Sequence, residues 1–393
     1  METEFSRPNS RPLLRQGKIR RVQRLFKTHP VVALLGPRQC GKTTLAKMYL
    51  SDIKSQVHYF DLEDPTALAR LDDPKLALQD LEGLIVIDEI QRKPELFPLL
   101  RFLVDTKDKQ RYLILGSASQ TLLKQTSETL AGRIAYVELT PFGYTETKDL
   151  DTLWLRGGYP RSFLSHSLEE SLDWRKEFVK TYLERDIPLM GLQVPAATLR
   201  RFWTMLAHYH ASTFNASEIG RSLGFSDTTM RHYLDLLTDT FMVRQLKAFY
   251  DHNISKRQIK APKVYFRDTG LLNIFTGIST KENLWGHPKL GLFWEGLAIE
   301  EILRAHEADS EDCYFWGTHS GAELDLLIQK DQRLGFEIKF SSTPKITPSM
   351  KIAKEALKLD SLIVIIPGSD TFPLAHDIQV VGLQRYLDQL CTD

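Results

Sequence analysis

A chain of 393 residues is too long for one ordinary hydrophobic core and predicts two or three domains. Apolar residues make up 42% and charged residues 26% of the chain, which is typical of a globular protein in water. The net charge of +1 excludes a strong overall field that would attract nucleic acid, although a local basic patch would suffice for binding.

The cysteines and the apolar runs indicate where the protein works. Cys40, Cys313 and Cys391 have no paired spacing, which argues against a disulfide framework and against a zinc module. The N-terminal segment lacks the apolar run of a signal peptide, and the longest apolar runs are far shorter than a membrane span. We therefore expect a cytoplasmic protein.

The first part of the chain predicts an α/β sheet. Residues 1–28 are basic, contain proline and serine, and predict a solvated or loosely packed arm, in which a helix could begin near Leu13. Five apolar runs then alternate with helical stretches up to about residue 148, at 31–36, 57–64, 81–89, 111–119 and 134–139. Apolar strands that alternate with helices predict a parallel sheet covered on both faces.

A phosphate-binding loop follows the first of these strands. The run Gly36-Pro37-Arg38-Gln39-Cys40-Gly41-Lys42-Thr43 fits G-x-x-x-x-G-K-[ST], with Thr44 next to it, and it lies between a strand and a helix as the motif requires. Its backbone N–H groups and the helix N-terminus would bind phosphate oxygens. Lys42 would reach the β- and γ-phosphates, and the Thr43 hydroxyl would ligate magnesium. The pattern therefore predicts ATP and Mg²⁺ as ligands and a P-loop ATPase domain at 29–148.

The third strand, Leu84-Ile85-Val86-Ile87-Asp88-Glu89, supplies the partner motif. Asp88 would hold magnesium, and Glu89 would orient or deprotonate the attacking water. Two carboxylates at the end of a buried strand, about 45 residues after a phosphate loop, favour catalysis over a merely polar strand end.

Three further features of this domain have alternative interpretations. Ser117 and Ser119 end the fourth strand, where either could sense the γ-phosphate or cap the following helix. Arg133 could act on a γ-phosphate of its own or of a neighbouring subunit, or it could form a surface ion pair. The helix N-terminus and Lys42 would lower the pKa of the Cys40 thiol and so allow redox control of ATP binding, or Cys40 could be one of the many small residues that such loop positions accept.

The middle of the chain predicts a helical connector at 149–195 and a winged-helix-like domain at 196–280. Asn215 and Glu218 can form a capping box, Gly224 ends a short helix, and a second helix begins near Ser226 or Asp227. Two strands follow, joined by a basic loop that resembles a wing. If the segment binds DNA, the exposed residues of the second helix and of the loop would contact it: Thr228, Thr229, Arg231, His232, Lys256, Arg257 and Lys260. The alternative is a packing or protein-interaction module.

The segment 281–393 shows a second candidate site. Glu323 and Asp325 share one face of a predicted strand, and Glu337 and Lys339 share one face of the next. Carboxylates from two strands can bind magnesium, a lysine can orient a water nucleophile, and Glu295 on an upstream helix can approach the same point. The D…E-x-K pattern resembles the PD-(D/E)XK nuclease core. The predicted elements of this chain also follow the order of that core: helix 291–305, strands 313–317, 323–329 and 334–340, helix 347–359 and strand 361–366. A salt-bridged strand pair would give the same pattern.

Several motifs together resemble one protein family. They are GPRQCGKTTL, YFDLEDP, LIVIDEIQRKPELFPLLRFLVD, LILGSAS, LAGR, LRGGYPRSF, YLERDI, KVYFRDTGLL and GAELDLLI…FEIK. Over roughly residues 20–345 the chain resembles AAA-type ATPases of bacteria and archaea that carry a C-terminal domain of unknown function. The resemblance implies an ATPase core, a winged-helix-like middle and a restriction-nuclease-like end.

These features lead to an expected function with two alternatives. We expect an ATP-hydrolysing, DNA-associated protein, able to form a homo-oligomer, in which the nucleotide state controls the C-terminal region. One alternative is a slow regulatory switch whose C-terminal domain only binds a protein or a nucleic acid. The other is a metal-dependent DNA nuclease that ATP gates.

Overall fold

The computed structural model describes residues 13–117, 126, 128–189, 194–252, 254 and 257–392. The chain forms two compact units: one holds the chain up to Pro141 with Asp239–Phe241, and the other holds Phe142–Thr238 and Met242–Asp393. Within the described ranges, no helix is both long and apolar enough to cross a membrane.

The first unit is built on a five-stranded sheet whose strand pairs are all parallel. The strands are β1 Val31–Leu35, β2 Val57–Asp61, β3 Gly83–Asp88, β4 Gln110–Gly116 and β5 Ile134–Glu138, in the order β2-β3-β4-β1-β5. Alternate residues of β1 belong to two hydrophobic layers, with Val31, Ala33 and Leu35 in one and Val32 and Leu34 in the other. The predicted parallel α/β sheet, buried on both faces, is confirmed.

Short helices connect these strands. They are α2 Lys42–Ser51, α3 Pro65–Arg70, α4 Pro74–Leu78 and α5 Leu96–Thr106, with a 3₁₀ turn at Ile90–Arg92. The carboxylates of Asp64 and Asp73 accept hydrogen bonds from the first turns of α3 and α4, each of which begins with a proline. An aspartate cap followed by proline is a strong helix start, which explains why such short helices form here.

The basic N-terminal segment is more ordered than the sequence predicted. Helix α1, Gln16–Leu25, buries Ile19 and Val22 in the second hydrophobic layer of the first unit. The spacing of these two residues places them on one helical face, while the basic residues occupy the rest of the surface. The prediction of a loose arm is therefore wrong for residues 16–25, and residues 1–12 lie outside the described part of the chain.

The second unit begins with the predicted helical connector. Its elements are α6 Tyr144–Thr147, α7 Leu150–Arg156, α8 Pro160–Phe163, α9 Leu168–Thr181, a π-helical turn Tyr182–Asp186 and α10 Ile187–Leu189. Aromatic rings hold this region together, since Tyr159, Phe178, Tyr182 and Trp203 form a chain of neighbouring rings.

The middle segment has the predicted order of a helix, a helix–turn–helix and two strands. Its elements are α11 Ala196–His208, β6 Ser212–Thr213, α12 Ala216–Leu223, α13 Asp227–Asp239, β7 Val243–Ala248 and β8 Lys263–Phe266, followed by α14 Thr269–Phe275 and α15 Lys281–Trp285. The short strand β6 pairs with β8, and β8 pairs with β7, both in antiparallel fashion.

The C-terminal segment continues the same sheet. Its elements are α16 Leu290–Ala305, β9 Cys313–Gly317, β10 Glu323–Gln329, β11 Arg333–Ile338, α17 Pro348–Leu357, β12 Ser361–Ile366, β13 Thr371–Ala375, β14 Ile378–Gly382 and α18 Leu383–Thr392. The mixed sheet has the order β13-β14-β12-β11-β10-β9-β7-β8-β6. Because β7 pairs with β9, the boundary that we expected near residue 280 falls inside one compact unit.

Candidate functional site

The phosphate loop lies at the carboxyl end of β1, between this strand and α2. A Cβ atom at Gly36 would lie 2.1 Å from the carbonyl oxygen of Leu139, so only glycine fits at the start of the loop. Gly41 has a φ of 99°, and Gln39 has a φ of 62°. These left-handed residues turn the backbone sharply, as a loop that encloses a phosphate requires.

Lys42 is held inside this loop. Its side chain is buried, and its ammonium donates hydrogen bonds to the carbonyl oxygens of Gly36 at 3.1 Å and Pro37 at 3.0 Å. The loop thus holds the positive charge of Lys42 close to the backbone N–H groups that would surround a phosphate. Among the other predicted loop residues, Arg38 is 3.9 Å from the carboxylate of Glu63, and Thr44 is exposed on the first turn of α2.

Thr43 and Asp88 meet at the carboxyl edge of the sheet. The Thr43 hydroxyl donates to Asp88 Oδ2 at 2.7 Å, although the two residues are far apart in sequence. Tyr59, on the neighbouring strand β2, donates to the same oxygen at 2.7 Å. A hydroxyl beside a buried carboxylate is the kind of donor set that holds Mg²⁺ through direct and water-mediated bonds, so these residues fit the predicted ion.

Glu89 follows β3 directly and has a left-handed backbone, with a φ of 57°. Non-glycine residues with this conformation are uncommon, and they cluster at functional sites. Burial raises the pKa of the Glu89 carboxyl, while Lys42 and a hydrogen bond from Gln91 partly oppose that shift. A carboxylate with a raised pKa is a better proton acceptor than an ordinary one.

Ser117 lies one residue beyond β4, between the strands that carry the phosphate loop and Asp88. Its hydroxyl oxygen is buried and has no hydrogen-bond partner among the described residues. A buried hydroxyl without a partner can still donate a hydrogen bond to a ligand. A residue that senses the γ-phosphate needs such a hydroxyl. Ser119, the other predicted candidate, lies outside the described residues.

Arg133 lies at the amino edge of the sheet, opposite the carboxyl edge that carries the phosphate loop. β1 and β5 run in register, with Val31 paired to Ile134, so Arg133 lies beside the start of β1 and the phosphate loop lies beyond its end. Its guanidinium makes a bidentate ion pair with Asp105, from Nε to Oδ1 at 2.6 Å and from Nη2 to Oδ2 at 2.9 Å. The prediction that Arg133 acts on a γ-phosphate of its own chain is therefore wrong, and the alternative of an ion-paired arginine is what the structure has.

The prediction for Cys40 is also wrong. Burial raises the pKa of this thiol, and the nearby Lys42 and Arg15 only partly oppose the effect. We had expected the helix N-terminus and Lys42 to dominate, but the side chain is wholly enclosed in a hydrophobic layer. A buried thiol with a raised pKa is a poor nucleophile, so this position is unsuited to redox control.

Sequence reasoning missed Arg15 and Tyr59 in this site. Arg15 is buried, and its guanidinium donates to the Cys40 carbonyl oxygen of the phosphate loop at 3.3 Å. Tyr59 could have been found, because β2 lies next to β3 and a long polar side chain on β2 can reach a carboxylate at the end of β3.

The helix–turn–helix has the caps that the sequence predicted. Asn215 Oδ1 accepts from the Glu218 N–H at 3.2 Å, Gly224 has a φ of 79°, and Ser226 Oγ accepts from the Thr229 N–H at 3.2 Å. On the second helix Thr228, Arg231 and His232 are exposed, while Thr229 is half-buried. In the following loop Arg257 and Lys260 are exposed, and Lys256 lies outside the described residues.

The predicted C-terminal residues form a buried cluster. Asp325 Oδ2 accepts the Ile338 N–H at 2.8 Å, and Lys339 Nζ lies 2.7 Å from Glu337 Oε1. Burial and the charge of Asp325 raise the pKa of Glu337 above its ordinary value, and the same two causes raise the pKa of Glu295.

Lys263, Tyr265 and Glu323 complete this cluster. The sequence placed Glu323 on the same face as Asp325 but did not identify Lys263 or Tyr265. Lys263 Nζ lies 3.2 Å from Glu295 Oε1 and 3.9 Å from Asp325 Oδ1, and it also pairs with Glu323. Tyr265 donates to Glu295 Oε1 at 2.6 Å. Lys263 and Tyr265 alternate along β8 and so share one face, which is a signal that could have identified them.

The cluster does not form the predicted metal site. Across the part of the chain that the structure describes, no group of three or more histidine, cysteine, aspartate and glutamate side chains is arranged to hold a metal ion. The expected set of Glu295, Asp325, Glu337 and Lys339 instead has a second lysine, Lys263, among its carboxylates.

Models of three protein families match three successive segments of the chain. The model of the AAA domain matches residues 28–148. Two domains of unknown function follow, DUF8612 at 147–282 and DUF4143 at 290–386.

Solved structures are similar over part of the chain, among them the following two. The Walker-type ATPase paby2304 of Pyrococcus abyssi is 16% identical, with a TM-score of 0.49 over 69% of this chain and 98% of that one. The RuvB Holliday junction branch migration motor of Thermotoga maritima is 20% identical, with a TM-score of 0.30 over 58% of this chain and 89% of that one.

Two proteins of known sequence match almost the whole chain. They are "Uncharacterized protein Rv2008c" of Mycobacterium tuberculosis and "Uncharacterized protein Mb2031c" of Mycobacterium bovis. Each is 45% identical over 98% of this chain and 88% of its own length. The chain therefore belongs to the family of these mycobacterial proteins and carries an AAA-type P-loop domain at its N-terminal end.

Proposed function

We propose that this protein binds Mg-ATP in the loop 36–44 and hydrolyses it to ADP and phosphate. The observation that carries the proposal is the contact between Thr43 and Asp88 at the carboxyl edge of the sheet, 2.7 Å from oxygen to oxygen. It brings together the two side chains that the motifs assign to magnesium, which supports the proposal.

The residues around this contact support a division of roles. Thr43 and Asp88 would hold magnesium, which neutralises phosphate charge when it is bound. Lys42 would exchange its hydrogen bonds to the loop carbonyls for phosphate oxygens. Glu89 would accept the proton of the attacking water, and Ser117 would donate to the γ-phosphate.

Steady-state ATP turnover tests this assignment. We expect Lys42→Ala to lower the turnover rate by at least about a hundredfold, because it removes a charge that stabilises the transferring phosphoryl group. Lys47→Ala is the matched control, since Lys47 is an exposed lysine of the same helix and should leave turnover unchanged. Equal turnover in both variants would contradict the proposal.

We further propose that the second unit binds DNA through the helix α13 and the loop between β7 and β8. The order of helices and strands at 196–266 supports a winged helix, and the exposed Arg231, His232, Arg257 and Lys260 support a nucleic-acid surface. The AAA domain would then act as a nucleotide-dependent switch for this surface.

The alternative of a protein-binding module is favoured by the acidic residues of the same helix. Asp235 is exposed, so the surface is not uniformly basic. The alternative of an ATP-gated nuclease has less support, because Lys263 lies among the carboxylates that would bind its metal. Action of Arg133 on a neighbouring copy stays a prediction.

Titration of the full chain with labelled duplex DNA tests the DNA-binding proposal. We expect Arg231→Ala to weaken binding by about 1–3 kcal/mol and to reduce the dependence of affinity on salt. Lys176→Ala removes an exposed lysine from helix α9 and should leave affinity unchanged. If neither variant loses affinity for DNA, or if both lose it equally, the result would favour the protein-binding alternative.

A further inference from the structure

The cluster of acidic side chains in the second unit has an unusual internal cation. Four carboxyl groups come from three elements: Glu295 from α16, Glu323 and Asp325 from β10, and Glu337 from β11. All but Glu323 are buried. Such a cluster is costly to bury unless a cation compensates it.

Lys339 pairs with Glu337 at 2.7 Å, and Lys263 supplies the compensation for the other three carboxyl groups from a distant part of the chain. It extends from β8 across the sheet, with its ammonium 5.5 Å from the ring centre of Phe315 on β9. There it pairs with Glu295 at 3.2 Å and Asp325 at 3.9 Å, and it also contacts Glu323. Only 5% of Lys263 is exposed, so the ammonium depends on these carboxylates rather than on water.

Neighbouring donors fix the orientation of two of these carboxylates. Tyr265 donates to the same oxygen of Glu295 that Lys263 contacts, at 2.6 Å, which fixes the orientation of that carboxylate. The Ile338 N–H fixes Asp325 in the same way. Glu337 Oε2 is buried and has no hydrogen-bond partner among the described residues, although Glu337 interacts electrostatically with Asp325 and Glu323.

This arrangement disagrees with a ready metal site. Carboxylates that bind Mg²⁺ or Mn²⁺ direct their oxygens at the ion, and here oxygens of Glu295, Glu323 and Asp325 surround an ammonium. Two positive charges cannot share this space without strong repulsion in a buried environment. The cluster can therefore hold the ammonium or a divalent ion, but not both.

We propose that the Lys263 ammonium is the resident cation of the Glu295–Glu323–Asp325 cluster, and that a divalent metal ion binds there only when this ammonium is removed. The C-terminal region is accordingly kept from binding metal by a residue of the middle segment. The same charge that stabilises the carboxylates excludes the cofactor of a metal-dependent nuclease.

Manganese binding to the full-length, nucleotide-free chain tests the proposal. Thr43→Ala is included in every sample, so that the phosphate-loop region contributes no metal site. Free Mn²⁺ is measured by electron paramagnetic resonance during a titration, and melting temperature is followed with and without Mn²⁺. Lys263→Met keeps most of the side-chain volume and removes the charge, and Lys351→Met is the control at an exposed lysine.

We expect Lys263→Met to bind one additional manganese ion per chain, and we expect the double variant Lys263→Met/Asp325→Asn to lose it. Mn²⁺ should raise the melting temperature of Lys263→Met only. A manganese site present in the Lys263 protein and abolished by Asp325→Asn would overturn the proposal. So would a folded Lys263→Met chain that binds no additional ion.

A folding defect does not leave the question open. Lys263→Gln keeps a hydrogen-bond donor for the carboxylates and replaces Lys263→Met if that variant fails to fold. Failure of both variants to fold in excess Mn²⁺ would also contradict the proposal, since the metal ion would then be unable to replace the ammonium.

Discussion

At the scale of single residues, one oxygen of Asp88 is the focus of the nucleotide site. Oδ2 accepts hydrogen bonds from both Thr43 and Tyr59, and Oδ1 accepts from the Glu89 N–H at 3.0 Å. If Thr43 binds a metal ion as we propose, its hydroxyl would release Asp88, and Tyr59 would keep the carboxylate oriented. Burial and the contact with Asp88 raise the pKa of Tyr59, so its hydroxyl remains a donor at neutral pH.

This role for Tyr59 predicts a change in magnesium requirement. We expect Tyr59→Phe to raise the Mg²⁺ concentration for half-maximal ATP turnover by about tenfold, the usual effect of removing an outer partner of a metal ligand. Turnover at saturating Mg²⁺ should fall much less.

Tyr112→Phe is the matched control. It makes the same change on strand β4 of the same sheet, where the hydroxyl contacts Gln110 instead of Asp88. An equal Mg²⁺ requirement in the wild type and both variants would remove Tyr59 from the site.

The residues that the sequence identified belong to local motifs, whereas those that it missed act through contacts between distant parts of the chain. Lys42, Thr43, Asp88 and Glu89 stand in motifs whose spacing alone predicts their chemistry. Tyr59 and Lys263 act across strands, so their partners depend on strand order, which no local pattern contains.

At the scale of elements, most of the strands could be predicted because they are short apolar runs with clear ends. The strands 313–317 and 323–329 were predicted with the bounds that the structure has. The C-terminal hairpin of β13 and β14 was missed, because β13 is a half-exposed edge strand that contains Pro373 and has little alternation. Helix α18 was missed as well.

The packing of helix α1 is the other error at this scale, because we expected a loose arm and the helix is part of the core. Because Ile19 is almost wholly buried in the core of the first unit, we expect Ile19→Ala to destabilise that unit by about 2–4 kcal/mol. Arg20→Ala, at the next and exposed position, should change the free energy of unfolding by less than about 0.5 kcal/mol.

Urea unfolding of the full chain, followed by a probe placed in the first unit, measures both values. If Ile19→Ala were as stable as Arg20→Ala, the segment would be the solvated arm that its composition suggested.

At the scale of the whole molecule, continuity of the nine-stranded sheet is the feature that composition and motif analysis could not predict. Lys247 pairs with Tyr314 and Ala248 with Phe315, so a parallel contact over more than sixty residues joins the middle and C-terminal segments. Such pairing depends on the global topology. It also explains how Lys263 of the middle segment reaches carboxylates of the C-terminal segment.

The central claim is that the first unit both binds and hydrolyses ATP, and one measurement addresses both parts directly. ATP binding and single-turnover hydrolysis are measured side by side for wild type and Glu89→Gln. We predict that Glu89→Gln binds Mg-ATP as wild type does and hydrolyses it at least about a hundredfold more slowly, because the phosphate loop is intact while the proton acceptor is lost. Hydrolysis at the wild-type rate in Glu89→Gln would contradict this account.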